Sequence, residues 1–571
     1  MDKNWIIKAQ GNEADVLALS RALGVDEPVA NLLVQRGIRS FDEAKNFFRP
    51  ELTQLHDPYL MKDMDVAVDR IITALENKEK LMIYGDYDVD GTTAVSLIYS
   101  FLKNYFDEID YYIPDRYSEG YGVSLMGIDH AARHGYSLVI ALDCGIKAVE
   151  KIKYASAKGV DFIICDHHNP GDEIPAAVAV LDPKRPDCSY PYKELSGAGV
   201  GFKLLQAFAS RKEIPFDDVK KHLDLVAVSI ASDIVPITGE NRVLAYYGLK
   251  QINEAPSTGL RAIIRISGID QKEITIDDIV FKIGPRINAA GRMESGRKSV
   301  DLLICEEEEA ARLISEKIDT FNVDRRNVDS TITRQALEII RSDDKLRARK
   351  STVLYNEEWH KGVIGIVASR LLDYYYRPTV ILTRSNGLAT GSARSVNGFD
   401  LYQAIEACSD LLENFGGHKY AAGLTMKLTN IQAFSERFEK VVSELIHPDQ
   451  LIPVVEIDTE LRLSDITEKL QRILKQFRPF GPENMAPVFL TENVVDNGYG
   501  KAVGVNREHL KLSLVQEDNP FKVFPAIAFQ KGDLAERIIN GQPFDICYSI
   551  EENEFRGAVN LQLNVKDIKF D

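Results

Sequence analysis

The sequence predicts an α/β chain, with a mainly parallel sheet in its first half, a second α/β unit from Ser351 and a small C-terminal β-barrel. Three observations carry this. Between about residues 60 and 250, short apolar runs alternate with helix-like stretches, the pattern of βαβ units. From Ser351, TVLY, GVIGIVASRLLDYYY and PTVILT read strand, helix, strand. From about residue 455, after the helix-like LSDITEKLQRILKQF, the short alternating runs HLKLSLVQ, FKVFPAIAF, FDICYSIEE and VNLQLNVKDI follow one another, as in a small barrel. At 571 residues the chain is too long for one core. Five segments are expected: 1–60, 61–255, 256–350, 351–450 and 451–571.

Residues 1–60 read as helical, with breaks at Asp26-Glu27-Pro28 and Arg49-Pro50, and ALSRALGVDEPVANLLVQRG as a helix pair. The next segment centres on LMIYGDYDVDG, Leu81 to Gly91. Leu81 to Tyr84 read as a buried strand that runs into Asp86, Asp88 and Asp90. Alternate side chains share a side of an extended segment, so the three carboxylates are expected to point the same way, where repulsion calls for a cation. LVIALDCG ends in Asp143, DFIICDHHNP in Asp166, His167 and His168, and LVAVSIASDIVP, helix or strand by periodicity alone, in Asp233. Any one of these acids is an ordinary turn former or cap. Together, outside the carboxyl ends of an open sheet, they indicate a metal site. Oxygen and imidazole donors suit Mn2+ or Mg2+ better than structural zinc. The surplus of carboxylates suggests two ions sharing a bridging acid, the arrangement for in-line attack of water on a phosphoryl group.

Residues 282–298, KIGPRINAAGRMESGRK, read as a basic loop in which Arg286, Arg292 and Arg297 touch phosphates or brace the chain. A long charged helical spacer follows to about residue 347. In the second α/β unit, GSARS puts Ser392 and Arg394 on one side of an extended segment, a hydroxyl and guanidinium pair suited to a phosphate. FGGHKYAAG reads as a loop whose small residues, Gly416 and Gly417 beside His418, let backbone N–H groups approach an anion. In the last segment Phe521, Phe524 and Phe529 read as barrel core.

No run approaches the roughly 18 apolar residues of a membrane span, and the N-terminus lacks the pattern of a signal peptide. The six scattered cysteines include no CxxC pair, as expected in a reducing cytoplasm. The net charge of −17 opposes nucleic-acid binding, which then requires a local basic groove and the metal ions.

DYDVDG, LDCG, CDHHNP and ASDIVP, in this order, resemble the four motifs of the DHH phosphoesterase family. KIGPRINAAGRM (282–293), GSARS (391–395), GGHKYAAG (416–423) and FGPENMAPVF (480–489) extend the likeness over nearly the whole chain, towards that family's single-strand-specific 5′→3′ DNA exonucleases. The resemblance implies a DHH-type parallel-sheet domain joined by a long helix to a DHHA1 α/β domain, plus a C-terminal OB-fold barrel. It implies that Asp88 and Asp90 bind metal, that Asp143 bridges two ions, and that His167 and Asp233 complete the second ion's shell. His168 faces the scissile phosphate or supports the metal, so Asp143 and His168 are the expected catalytic pair. Arg116 joins Ser392 and Arg394 in a 5′-phosphate pocket, Gly416, Gly417 and His418 face the substrate, and Arg286 and Arg292 shift towards phosphate contact. The family commonly has His four residues before the first ligand acid. Tyr84 stands there in this chain, a poor ligand at neutral pH, leaving Asp86 or water to fill the place.

The implied activity is hydrolysis of single-stranded DNA to mononucleotides, with Mn2+ or Mg2+, in DNA repair and recombination. A cytosolic monomer is expected, with a repair helicase and a single-strand-binding protein as partners. The alternative is a DHH phosphodiesterase of short oligonucleotides or cyclic dinucleotides, which the acidic charge favours and the barrel opposes. A scaffold without a metal site is opposed by the retained acids and histidines.

Overall fold

The structure, a computed structural model, describes residues 3–517, 519–539, 541–555 and 558–570. Its contacts divide the chain into two compact units, Arg49–Arg326 with Arg478–Met485, and Met1–Phe48 with Asn327–Phe477 and Ala486–Asp571.

The first unit is built on five parallel strands, β1 (Lys80–Gly85), β2 (Ile109–Tyr112), β3 (Tyr136–Leu142), β4 (Asp161–Cys165) and β5 (Ala179–Leu181), in the order β2-β1-β3-β4-β5. Residues 81–85 and 138–142 are buried, which is why β1 and β3 read as continuous apolar runs. Leu81, Ile83, Leu138 and Ile140 face a core shared with α1 (Val89–Leu102), α3 (Gly197–Arg211) and α4 (Leu223–Ser232). Met82, Tyr84, Val139 and Ala141 face the opposite core, with α2 (Leu125–His134). The strand order reverses between β1 and β3, the switch point at whose carboxyl ends open α/β sheets bind ligands.

In this unit one alternative is settled and one expectation changes. LVAVSIAS, helix or strand by its periodicity, is helix α4 with Asp233 at its C-cap, and Ile234 follows at φ +59°. A segment buried all round carries no period to separate helix from strand. The expected basic loop is helical: Ile276–Asp278 leads through a π-helical turn, Ile279–Ile283, into α5 (Gly284–Met293). Its glycines argue against helix, yet one serves close packing, since a Cβ at Gly291 would lie 2.7 Å from the Tyr87 carbonyl oxygen. Helix α6 (Glu308–Ser342) then runs for 35 residues through the division between the units.

The second unit holds the sheet β9-β10-β8-β7-β6, made of β6 (Thr352–Tyr355), β7 (Thr379–Ser385), β8 (Leu388–Arg394), β9 (Asn414–His418) and β10 (Ala421–Met426). Only β6 and β7 run parallel, and α7 (Ile364–Leu372) connects them. GGHKYAAG is therefore a hairpin rather than a loop, with His418 paired to Ala421 and Lys419-Tyr420 at the turn.

The last strands are β11 (Phe489–Asp496), β12 (Lys501–Val503), β13 (His509–Gln516), β14 (Asn519–Ala528), β15 (Phe544–Phe555) and β16 (Ala558–Lys569). β11, β15, β16, β14 and β13 close on themselves as a five-stranded barrel, β13 pairing back to β11. Phe524 is core, but Phe521 and Phe529 are 93% and 55% exposed, correcting the expectation for those two. With residues 524, 526 and 528 facing inward, the odd positions of β14 must face out. Ahead of this unit's N-terminal helices, strand Asn4–Ile7 pairs in parallel with Val454–Ile457, a partner too distant in sequence for local pattern to reveal. Among the described residues no helix is long and apolar enough to cross a membrane.

Candidate metal centre and phosphate contacts

The chain leaves β1 at Gly85 and enters α1 at Val89. Asp86, Asp88 and Asp90 thus share no extended segment, and the expectation that they point one way is corrected. Asp86, fully buried, accepts from the Gly122 N–H at 3.2 Å, while its Oδ2 has no hydrogen-bond partner. Asp88 caps α1 by accepting from the Gly91 N–H at 3.1 Å. Asp90 accepts from the N–H groups of Gly197 and Ala198 at the start of α3, at 2.7 and 2.8 Å, and from Ser229 Oγ of α4 at 2.8 Å. Three donors fix that carboxylate, as supporting groups do around metal ligands.

Asp143 follows β3 at φ +57°, a conformation that costs energy outside glycine and clusters at functional sites. Its Oδ1 lies 3.2 Å from His167 Nε2, which is also 3.5 Å from Asp233 Oδ2 and 3.7 Å from Asp90 Oδ2. Four elements therefore bring Asp90, Asp143, His167 and Asp233 together. His168 Nδ1 is 2.7 Å from Asp166 Oδ1 and 3.9 Å from Asp143 Oδ1. Asp166 also accepts from the N–H groups of Ile146, His167 and His168. Tyr121 donates to the Asp143 carbonyl, and its Oη is 3.2 Å from His168 Nε2.

The electrostatics follow from burial and crowding. Burial, then the charges of Asp90, Asp88 and Asp233, push the Asp143 carboxyl well above the usual range. Burial and Asp88 raise Asp86 likewise, and burial with Asp90 and Asp88 pushes Asp233 to about 8. Burial lowers His167. At Asp166 burial is the largest single influence, but the hydrogen bond and charge of His168, with the Ile146 N–H bond and the charge of His167, together outweigh it and draw the carboxyl down to about 2. The hydrogen bond and charge of Asp166, with the charges of Asp233 and Asp90, in turn hold His168 up at about 9 against burial.

Asp143 Oδ1 and both His167 ring nitrogens are buried without hydrogen-bond partners. The ligand atoms form two groups, Asp143-His167-His168 and Asp90-His167-Asp233, each within 4.8 Å. Close, buried carboxylates repel unless a cation lies among them, and orphaned oxygen and imidazole donors suit a divalent ion such as Mn2+ or Mg2+. The residues fit such ions. Asp86 and Asp88 belong to neither group, although the charge of Asp88 is felt at Asp143 and Asp233.

Asp166 was named in the sequence beside the paired histidines, though without a role of its own. Other residues of this site were left out. Asp182, fully buried at the end of β5 with one oxygen unpartnered and pushed by burial to about 7, follows an apolar run like the other acids. Tyr121 and Ser229 carried no signal.

The arginines divide. The Arg116 guanidinium lies 4.0 Å above the Tyr87 ring and draws Asp86 and Asp88 down against burial. Arg286 bonds to Asp319 and to the Lys282 carbonyl, each at 2.8 Å, bracing α5 against α6. Arg292 offers its carbonyl to the Tyr117 hydroxyl, and Arg297 lies 4.8 Å above the Tyr111 ring. In the second unit Arg394 Nη1 donates to Ser392 Oγ at 3.0 Å. Gly365 at the start of α7 is close by: a Cβ there would lie 2.9 Å from Ser392 Oγ and 3.1 Å from Arg394 Nη2. Gly416, Gly417 and His418 are exposed on edge strand β9.

Three family models match in chain order: the DHH family, N-terminal domain, over residues 80–230, the DHHA1 domain over 349–444 and the RecJ OB domain over 457–567. The single-stranded-DNA-specific exonuclease RecJ of Bacillus subtilis is 37% identical over 565 residues, covering 99% of this chain and 70% of that protein. The Escherichia coli protein of the same name is 30% identical over 562 residues, covering 94% and 95%. The crystal structure of RecJ from Thermus thermophilus in complex with Mn2+ superposes with a TM-score of 0.85 at 26% identity, covering 100% of this chain and 80% of that one. Its complex with Mg2+ gives a TM-score of 0.78, covering 100% and 78%. With relatives this similar over most of both chains, the chain belongs to the RecJ family of single-stranded-DNA-specific exonucleases.

Proposed function

We propose that this chain hydrolyses single-stranded DNA from the 5′ end to mononucleotides, with two divalent ions, Mn2+ or Mg2+, held by Asp88, Asp90, Asp143, His167 and Asp233. The observation that carries this reading is His167 Nε2, buried, unpartnered and within 3.7 Å of three carboxylates. Ions bound there would supply Lewis acidity, polarising a phosphoryl oxygen and making water a nucleophile near neutral pH. The chain's own groups orient the reaction. Asp90 is held by its three donors, and Asp166 turns the His168 ring so that Nε2, beside Tyr121, offers a donor to a phosphate oxygen. Arg116 brings positive charge to Asp86 and Asp88. In the second unit, Ser392 and Arg394 offer a hydroxyl and guanidinium for a terminal phosphate, which would set polarity, and Gly416, Gly417 and His418 offer an exposed strand edge to the substrate. No nucleophilic side chain is needed. A role in DNA repair and recombination, in the cytosol, as a monomer and with a helicase and a single-strand-binding protein as partners, accords with this activity.

The test uses long single-stranded DNA labelled at either end, with Mn2+, Mg2+ or chelator. Mononucleotides released first from the 5′ end, only with metal and not by Asp143→Ala, are expected. Cleavage confined to dinucleotides would replace this reading with the short-oligonucleotide phosphodiesterase.

A further inference from the structure

The segment between β2 and α2, residues 113–124, carries Arg116 and Tyr121 to the metal centre. It turns through positive φ at Gly120 (+83°) and Gly122 (+79°). Connections of this kind are mobile unless their polar groups are tied down. Tyr84 ties this one from beneath. Its fully buried hydroxyl donates to the Gly122 carbonyl at 3.0 Å and accepts from the Ser124 N–H at 3.1 Å. The N–H of the same Gly122 donates to Asp86, so one residue links the brace to the acid cluster. From the other side, Glu119 accepts from the Tyr112 hydroxyl, the Asp115 N–H and Ser124 Oγ. The Tyr84 ring stacks on Tyr112 with centroids 5.5 Å apart. Room for it exists because residue 127 is glycine: a Cβ there would lie 2.6 Å from Tyr84 Cε2 and 3.2 Å from Tyr112 Cε1.

We infer that Tyr84 is a positioning residue: its hydroxyl latches the 113–124 segment so that Arg116 and Tyr121 stand ready for the DNA end, and it takes no part in holding metal. Both polar atoms that it satisfies are backbone atoms of the segment itself. Without the hydroxyl, a buried carbonyl and a buried N–H lose their partner, which favours an open segment. Tyr84 thus serves substrate alignment at a position where the family commonly carries a histidine. This inference rests on the exonuclease reading above.

Tyr84→Phe keeps the ring stack and removes both hydrogen bonds. On 5′-phosphorylated single-stranded DNA with Mn2+, KM is expected to rise about fivefold or more with kcat within about twofold, the signature of lost substrate alignment. Hydrogen exchange in the peptide spanning 113–124 is expected to quicken about tenfold, with Mn2+ affinity by calorimetry unchanged. Unaltered exchange and KM together overturn the latch. So does a fall in Mn2+ affinity with the segment still protected, which would put Tyr84 in the service of the metal. A wild-type protein that fails to degrade DNA sinks the exonuclease reading, while the exchange and Mn2+ arms still judge the latch. Should Tyr84→Phe not fold, Glu119→Gln loosens the same segment from its partly exposed side, and normal exchange there overturns the proposal.

Discussion

Asp143 sits where chain direction, burial and charge collide: a left-handed backbone, neighbouring carboxylates and an unpartnered Oδ1. Asp143→Asn removes one charge from a cluster whose charges raise each other. The metal-free variant should therefore be at least as stable as the wild type, by up to about 2 kcal/mol, while losing the stabilisation that a bound ion gives the folded state. Thermal unfolding with Mn2+ or chelator checks both halves, and a variant still stabilised by Mn2+ would remove Asp143 from the ligand set. The residue types of the centre were legible, since acids and histidines after apolar runs are a local pattern. Their directions were not. Asp86 faces Gly122 and Asp90 faces α3, because β1 gives way to a helix within four residues.

At the scale of elements, the start of α3 is decisive. A Cβ at Gly197 would lie 2.6 Å from the Asp143 Cβ and 3.0 Å from its Cα, too close for the backbone to ignore. Gly197→Ala is expected to push α3 away, break its two N–H bonds to Asp90 and weaken Mn2+ binding about tenfold or more. Calorimetry reads the change, and unaltered affinity refutes the account. His222, just ahead of α4, adds a pH effect. Burial lowers its pKa from 6.5 to about 4, so between those values the unfolded chain holds a proton that the folded chain does not. Stability from this group is complete above pH 6.5 and is lost as pH falls towards 4, by at most about 3 kcal/mol. His222→Phe should flatten that limb of the stability profile in denaturant titrations across this range. The parallel strands and the barrel strands were legible from apolar period and β-branched content. Helix α4, helix α5 with the π-turn before it, and the β9–β10 hairpin were not: the first is buried all round, and α5 and the hairpin carry glycines that argue against regular structure.

At the scale of the whole molecule, a charge of −17 opposes DNA binding, and the proposed phosphate contacts at Arg116 and Arg394 are local. A few phosphate contacts still release counterions, so KM for single-stranded DNA should rise about tenfold between 50 and 200 mM salt. A flat salt response would argue that phosphate contacts do not govern binding. The succession of parallel sheet, long helix, second sheet and barrel was open to reading from the sequence, as were the ligand types of the metal centre, because periodicity and side-chain chemistry are properties of neighbouring residues. Only the tertiary structure decided that Tyr84 turns to Gly122 and Ser124, that Arg286 is spent on Asp319, that Phe521 faces solvent and that strand Asn4–Ile7 finds Val454–Ile457. Each of these depends on which distant residue packing brings alongside, and no local pattern carries that information.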